Sequence, residues 1–357
     1  MDRITIITAG PVGLSIGLAL KRANLQNTEI LGTSGHSGLL TKGSKMGAFD
    51  RTNRNLKGAL EGAQLVILDA PAGETRELME AIGPILEKDC VITDTGTNKV
   101  EVLEWAKEYY SDDINFVAGR PLPKEPMSEI EDASVDIFEG TNYCIIPSGK
   151  AKPEAVKTVT GLVEILGAQP LFIDALEHDS YSSAAVLLPR ILSSALVGSV
   201  SSGPSWREIA RVAGAEFRTV SHFAREDPEH SAASFLANAE PVRHWINKAI
   251  TELIKYRDQL DQEDGSLAKE LERAREERIK WDVDAVVPEG GPEIPTIGQS
   301  FGGMFFGRRL TGKIKKINEG PPIDTTKMTA GSTPLLTSHP TFRQRAHDGT
   351  PCYPTAP

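Results

Sequence analysis

The chain has 357 residues, of which 39% are hydrophobic and 25% are charged, and its formal net charge is -10 at pH 7. This length favours two domains or one domain with appendages, and the acidic balance argues against nucleic acid or an anionic membrane as a partner. We expect no apolar stretch long enough to span a bilayer, and the three cysteines favour a reducing, cytoplasmic setting. The spacing of Cys, His and carboxylate residues predicts no metal site.

Strand and helix patterns alternate through the first half of the chain. The predicted strands are Arg3–Thr8, Glu29–Gly32, Leu65–Ala70, Val91–Asp94, Asn115–Ala118, Tyr143–Pro147 and Pro170–Ile173. The predicted helices between them include Val12–Ala23, Glu74–Glu87, Val100–Tyr110 and Pro153–Leu166. This alternation predicts an α/β fold, a Rossmann-like doubly wound parallel sheet that binds ligands beyond the carboxyl ends of its strands.

The pattern becomes purely helical after Asp174, which is predicted to cap the first of several consecutive helices. These helices are predicted at Ala175–Val200 (with a kink at Pro189), Ser205–Arg225, Ser231–Leu260 and Gly265–Trp281. Their long apolar faces need a partner, so we expect a homodimer through this half. The expected domains are a dinucleotide-binding domain at 1–173, a helical substrate and dimerisation domain at 174–283, and a partly flexible extension rich in proline and glycine at 284–357.

The first strand leads directly into a glycine turn and an apolar helix. Gly10 allows a pyrophosphate to approach the backbone, and Gly13 allows the helix to pack close to the strand. The first position of the motif, usually glycine, is Thr8. The predicted cofactor contacts in this turn are Thr8, Gly10, Pro11, Val12 and Gly13. The alternative is a tight turn in an α/β protein without a ligand.

The end of the second strand indicates which dinucleotide would bind. An NAD-selective site usually carries an acidic residue there, whereas this loop carries Thr33, Ser34 and His36, followed by Lys42 and Lys45. Hydroxyl and basic groups suit a 2′-phosphate, so NADP is favoured over NAD, although a solvated polar loop would also admit NAD. Further along the chain, the residues predicted to line the cofactor are Ala70, Pro71 and Thr95.

Four segments taken in order resemble the prephenate/arogenate dehydrogenase family of tyrosine biosynthesis. They are Thr93–Lys99; Gly119–Leu122 with Ile137–Gly140 and Pro147; His178-Asp179 with Leu187–Pro189; and Trp206–Ala213. The resemblance covers about residues 3–260. It implies a nicotinamide-dependent dehydrogenase that removes hydride from a cyclohexadienyl carboxylate with loss of the ring carboxylate, and a nucleotide domain followed by a helical dimerisation domain.

The resemblance also implies roles for individual residues. Thr97 stands where the family has a serine hydroxyl between nicotinamide and substrate, and Arg211 falls on the arginine that binds a substrate carboxylate. Arg207 lies one turn from Arg211 on the same helix face, and two arginines on one face suit a dicarboxylate. The alternative for this pair is an ion pair at the dimer interface.

The acid–base residues depart from the family pattern. Arg120 replaces the catalytic histidine, and Leu187 replaces a second histidine that contacts substrate. Because guanidinium stays protonated, Arg120 would bind a carboxylate or stabilise an alkoxide rather than act as a base, unless it forms only a surface salt bridge. Lys124 and His178 are the candidate replacements as base, and His178 also suits a structural role.

These departures leave two alternatives to a prephenate or arogenate dehydrogenase. One is an NAD(P)-dependent dehydrogenase that acts on another small carboxylate. The other is a dinucleotide-binding protein without catalytic activity. The single histidines of the helical half are interpreted as solvated or packed: His222, His230 and His244.

Overall fold

The computed structural model describes residues 2–127 and 129–283. The predicted extension 284–357, which includes Cys352, lies outside these residues. Within them, eight strands form one sheet in the order β3-β2-β1-β4-β5-β6-β7-β8. The strands are β1 Asp2–Thr8, β2 Thr28–Thr33, β3 Arg51–Thr52, β4 Leu65–Asp69, β5 Val91–Asp94, β6 Asn115–Pro121, β7 Asn142–Pro147 and β8 Gln169–Phe172.

Six helices accompany the sheet and seven follow it within the described residues. Those with the sheet are α1 Pro11–Ala23, α2 Ser37–Met46, α3 Leu56–Leu60, α4 Thr75–Ile82, α5 Val100–Tyr109 and α6 Pro153–Ile165. Those that follow are α7 Ala175–Ser182, α8 Leu188–Ser201, α9 Trp206–Val212, α10 Ala215–Val220, α11 Pro228–Ala237, α12 Ala239–Gln259 and α13 Ser266–Asp282. The predicted α/β fold followed by a helical half is confirmed.

The central strands are apolar on both faces because helices cover both sides of the sheet. Successive residues of β4 therefore enter different cores: Ile67 packs with Leu14 of α1, whereas Val66 and Leu68 pack with Met79 of α4. All strand pairs among the described residues are parallel except β6 and β7. This one reversal departs from the predicted all-parallel order.

Several predicted element bounds are wrong. The single helix expected at Ser205–Arg225 is broken at Gly214, whose extended backbone separates α9 from α10. The helix expected at Ser231–Leu260 is interrupted at Asn238, between α11 and α12. Glycine and asparagine are weak helix formers, so each gives a site at which a helix can end. The short edge strand β3 and the helices α2 and α3 were not predicted.

The helical half begins as expected and then departs from a regular α-helix. Asp174 Oδ1 accepts the Glu177 N–H at 2.9 Å, which confirms the predicted cap. The helix continues to Ser201 but takes a π-helical turn at Ser183–Leu187, just before Pro189.

Part of this helical half is both apolar and exposed. The helix Ala175–Ser201 is long and apolar enough to cross a membrane, so the expectation that no stretch has that length is wrong. Its exposed side chains in the single chain include Leu176 at 73% and Tyr181 at 58%.

Candidate functional site

The glycine turn joins β1 to α1. Gly10 precedes the helix, and a Cβ atom built there would meet nothing within 4 Å. At Gly13, by contrast, a Cβ atom would lie 2.5 Å from Thr8 Oγ1 and 2.6 Å from Asp69 Oδ2. The turn is therefore open on the side of Gly10 and closely packed at Gly13. Pro11 carries no N–H, and the Val12 N–H lies in the first turn, where no carbonyl of the helix itself can accept it.

Asp69 occupies the inner side of this turn, although the sequence did not predict it as a site residue. Its Oδ2 accepts the Gly13 N–H at 2.9 Å and the Thr8 hydroxyl at 3.1 Å, and its Oδ1 accepts the Thr95 hydroxyl at 2.9 Å. A carboxylate of the protein thus binds one first-turn donor of α1, where the helix dipole favours negative charge. The sequence signal that could have identified Asp69 was its position as an acidic residue at the end of a central parallel strand.

The residues predicted to select the cofactor lie together at the end of β2. Thr33 and Ser34 are buried, and the Ser34 hydroxyl accepts the His36 N–H at 3.1 Å. His36 is exposed and precedes α2. Beside them is a pocket with two basic side chains and three hydroxyl groups, lined by Leu40, Thr41, Ser44, Lys45, Thr52 and Arg54. Ala70 and Pro71 follow β4 at the same edge of the sheet.

A buried ion pair fixes the turn after β5. Lys99 Nζ donates to Asp94 Oδ2 at 2.5 Å, and the two side chains are 0% and 2% exposed. The same carboxylate accepts the backbone N–H groups of Gly96 and Gly119. Burial lowers the pKa of Lys99, and the Asp94 charge opposes that shift. The ion pair holds the loop that carries Thr97, which is buried with 7% exposure.

His178 and Asp179 connect the helical half to the sheet half. Asp179 accepts the backbone N–H groups of Lys99 and Val100 at 2.8 and 2.9 Å, so it caps α5. His178 Nδ1 lies 2.9 Å from Asp179 Oδ1. A carboxylate partner favours the proton on Nδ1 and leaves the Nε2 lone pair as an acceptor. Burial lowers the pKa of His178, so its ring is neutral at neutral pH.

Arg120 reaches from the end of β6 towards the turn after β5. Its Nη1 donates to the Thr95 carbonyl at 2.9 Å, and its Nε is buried with no hydrogen-bond partner among the described residues. Burial, and then the positive charge of Arg190, lower the pKa of Arg120 to about 10. Arg120 therefore remains charged at neutral pH, and it is not the exposed salt bridge that was one alternative for it.

Two further charged residues near Arg120 were not assigned to the site from the sequence. They are Arg190 on α8 and Glu226, which follows the short 3-10 helix His222–Arg225. Arg190 Nε lies 3.3 Å from Glu226 Oε2, and these side chains are only 19% and 16% exposed. Contacts between distant parts of the chain bring these two residues to the site, so the local sequence pattern could not predict them.

The remaining predicted substrate residues lie at the surface of the single chain. Arg207 and Arg211 are exposed on α9, and Lys124 is exposed after β6. The structure thus brings Arg120 and His178 together around the turn that carries Thr97, but leaves the three predicted basic contacts in solvent.

Comparisons with known proteins agree with this architecture. A family model described as "Prephenate dehydrogenase, nucleotide-binding domain" matches residues 16–171, and one described as "Prephenate dehydrogenase, dimerization domain" matches residues 174–273. The chain is 25% identical over 265 residues to a prephenate dehydrogenase of Bacillus subtilis, covering 74% of this chain and 71% of that protein. It is 30% identical over 243 residues to one of Lactococcus lactis, covering 67% of this chain and 66% of that protein.

The fold is also found among solved structures. A crystal structure of prephenate dehydrogenase from A. aeolicus, in complex with hydroxyphenyl propionate and NAD+, superposes with a TM-score of 0.72. The two chains are 22% identical, and the match covers 79% of this chain and 99% of that chain.

Proposed function

Because the chain belongs to the prephenate dehydrogenase family, we propose that it is an NADP-preferring dehydrogenase that oxidatively decarboxylates prephenate or arogenate. The chain is a dehydrogenase of this family, and the proposal concerns its cofactor, its substrate and its residues. The observation that carries the proposal is the cluster of Thr97 and His178 beside the glycine turn, which keeps a hydroxyl and a neutral imidazole in the site although Arg120 replaces the family histidine.

The residues at the carboxyl edge of the sheet fit a nicotinamide dinucleotide. The open side of Gly10 and the first-turn Val12 N–H would receive the pyrophosphate. Preference for NADP is supported by the hydroxyl groups of Thr33 and Ser34 and by His36, which suit a 2′-phosphate. They lie next to the pocket lined by the basic side chains of Lys45 and Arg54. When bound, the oxidised nicotinamide supplies the acceptor for the substrate hydride.

Loss of hydride must be accompanied by removal of the proton from the substrate ring hydroxyl. Arg120 cannot take it, because its guanidinium remains protonated at neutral pH. His178 is neutral, its Nδ1 is held by Asp179, and its Nε2 can accept a proton. We assign the base to His178, and Thr97 would hydrogen-bond the hydroxyl. Lys124 is the weaker choice because it is exposed.

Arg120 then acts through its charge. A fixed guanidinium binds a carboxylate or stabilises the negative charge that develops on an oxygen as its proton leaves. The predictions that Arg207 and Arg211 bind substrate stay predictions. Both side chains are exposed in the single chain, so a buried substrate contact there would need a second copy to cover them.

We propose a cytoplasmic homodimer that pairs through the helical half. The match to a dimerization domain and the exposed apolar side chains of that half support the pairing, among them Leu176, Tyr181, Val212, Leu236 and Leu253. A reducing setting agrees with the free thiols of Cys90 and Cys144. Light scattering in detergent-free buffer tests the pairing: a monomer at micromolar concentration contradicts it, and a requirement for detergent would favour membrane association of the helix Ala175–Ser201 instead.

A direct assay tests the function. Purified protein is given prephenate or arogenate with NADP or NAD, and reduction is followed by nicotinamide absorbance. We expect reduction with one substrate at least, and a higher kcat/KM with NADP. Absence of reduction, with dinucleotide binding retained, would favour another carboxylate substrate or a binding protein. R120H serves as a second probe: a large gain with prephenate would mean that the family arrangement is still latent in the site.

A further inference from the structure

Arg190 lies on the same side of its helix as His178, and the π-helical turn explains why. Positions 178 and 190 are twelve residues apart, which in a regular α-helix places them roughly 120° apart around the axis. The π-helical turn Ser183–Leu187 contains one extra residue, which reduces this angle to roughly 20°. Ser183 and Leu187, the first and last residues of this turn, are fully buried. The helix therefore directs Arg190 towards the crevice that holds His178.

A second guanidinium, that of Arg120, lies near Arg190. The positive charge of Arg190 helps burial to lower the pKa of Arg120, whose side chain reaches from β6 to the Thr95 carbonyl. Both side chains are largely buried, and one donor of Arg120, its Nε, has no partner within the described residues. Two buried like charges with an unused donor form an unfavourable arrangement unless an anion lies between them.

Glu226 neutralises only part of this charge. It contacts Arg190 at 3.3 Å and makes no other ion pair among the described residues, so the two arginines and Glu226 together carry a net charge near +1. The carboxylates of Asp94 and Asp69 also act on Arg120, but Asp94 is already paired with Lys99 and Asp69 accepts three hydrogen bonds of its own. One carboxylate group would balance this net charge. The neighbouring α11 contacts the loop after β4, since a Cβ atom at Gly73 would lie 3.7 Å from Ala233 Cβ. The helical half thus lies against the carboxyl edge of the sheet at this point.

We propose that Arg120 and Arg190 together bind the side-chain carboxylate of the substrate, and that Glu226 positions Arg190 for this contact. The inference rests on the proposed function for the identity of the substrate. The side-chain carboxylate is the better choice for electrostatic reasons. It stays charged throughout the reaction, whereas the ring carboxylate leaves as neutral CO2, and two guanidinium groups held on it would oppose that loss.

This assignment predicts which kinetic constant changes. A contact that is equally strong in the ground state and in the transition state affects KM and leaves kcat nearly unchanged. R190Q should therefore raise KM roughly 10- to 100-fold, the effect of losing charge-assisted hydrogen bonds. R190K, which keeps the charge but loses the planar fork, should fall between R190Q and the wild type. E226Q should raise KM less than R190Q does, and it should not change the pH profile of kcat.

Binding can be measured without turnover. The probe is hydroxyphenylpropionate, compared with its neutral amide by calorimetry on the full chain in the presence of dinucleotide. The wild type should prefer the acid, and in R190Q the affinity for the acid should fall roughly 10- to 100-fold while that for the amide stays unchanged. R243Q is the matched control, because Arg243 is exposed on α12 and its ion pair within residues 2–127 and 129–283 is the local one with Glu240. Circular dichroism checks that each variant is folded.

Three results would overturn the proposal. They are a wild type that binds acid and amide equally, an R190Q variant that keeps the acid preference, and loss of that preference in R211Q rather than in R190Q. The calorimetry also separates this inference from the proposed function. A chain that prefers the acid through Arg190 but reduces no dinucleotide with prephenate or arogenate would keep the carboxylate site and reject the substrate assignment.

Discussion

The buried Lys99–Asp94 ion pair gives the sharpest test of the described architecture. K99M keeps the bulk of the side chain but removes its charge, and it leaves the Asp94 carboxylate 2% exposed without a cation. Removal of one partner of a buried pair costs about 3–5 kcal/mol. Two backbone N–H donors, from Gly96 and Gly119, still bind Asp94, so we expect a loss near the lower limit, about 3 kcal/mol. Such a loss lowers Tm by roughly 6–10 °C.

Urea and thermal unfolding followed by circular dichroism measure this loss. The double variant D94N/K99M should recover part of it, because no uncompensated charge remains buried. K107M is the matched control: its pair with Glu104 is 55% and 64% exposed, and its loss should stay below about 1 kcal/mol. If K99M costs no more than K107M, the Lys99–Asp94 pair is not buried and desolvated in solution.

Three further predictions concern the glycine turn and the candidate base. D69N removes a negative charge beside the first turn of α1 and should tighten dinucleotide binding roughly two- to five-fold by calorimetry; weaker binding would mean that the carboxylate helps to hold the turn open. G13A places a methyl group against Thr8 and Asp69 and should cost about 1–3 kcal/mol in urea unfolding, whereas G10A, whose Cβ meets nothing, should cost less. H178N should lower kcat by roughly 10²- to 10⁴-fold and remove an acid limb that lies below pH 6.5 in the wild type, because burial lowers the pKa of His178; a limb that persists in H178N would assign the base elsewhere. The lowered pKa of His178 also makes stability depend on pH. As pH drops below about 6.5, the His178 ring binds a proton in the unfolded chain before it does so in the folded chain. The free energy of unfolding therefore falls as pH drops through this range.

The sequence predicted the parts of this molecule that depend on local patterns. The β-branched run before Gly10 predicted β1, and the acidic side chain of Asp174 predicted the start of α7. Both signals act within a few residues, so no knowledge of the tertiary fold is needed. The order of motifs then identified the family, because each motif follows a strand or begins a helix that the pattern had already placed.

The parts that failed depend on distant contacts. Asp69 belongs to the glycine turn only because β4 pairs with β1, which brings residues 56 positions apart within 2.9 Å. Arg190 lies on the side of His178 only because of a π-helical turn, and Pro189 predicted an irregularity there without indicating its type. The breaks at Gly214 and Asn238 lie inside stretches whose apolar spacing continues across them, so periodicity alone predicted longer helices.

The cap that Asp179 forms on α5 has a consequence for how this chain can be divided. The carboxylate lies after position 173, whereas the N–H groups that it binds, those of Lys99 and Val100, lie before it. A truncated fragment that ends at 173 would leave the first turn of α5 without this acceptor and would expose the loop that carries Thr97. Expression of the nucleotide-binding half alone should therefore give a less soluble, partly frayed product, and the two halves are better regarded as one folding unit than as interchangeable modules.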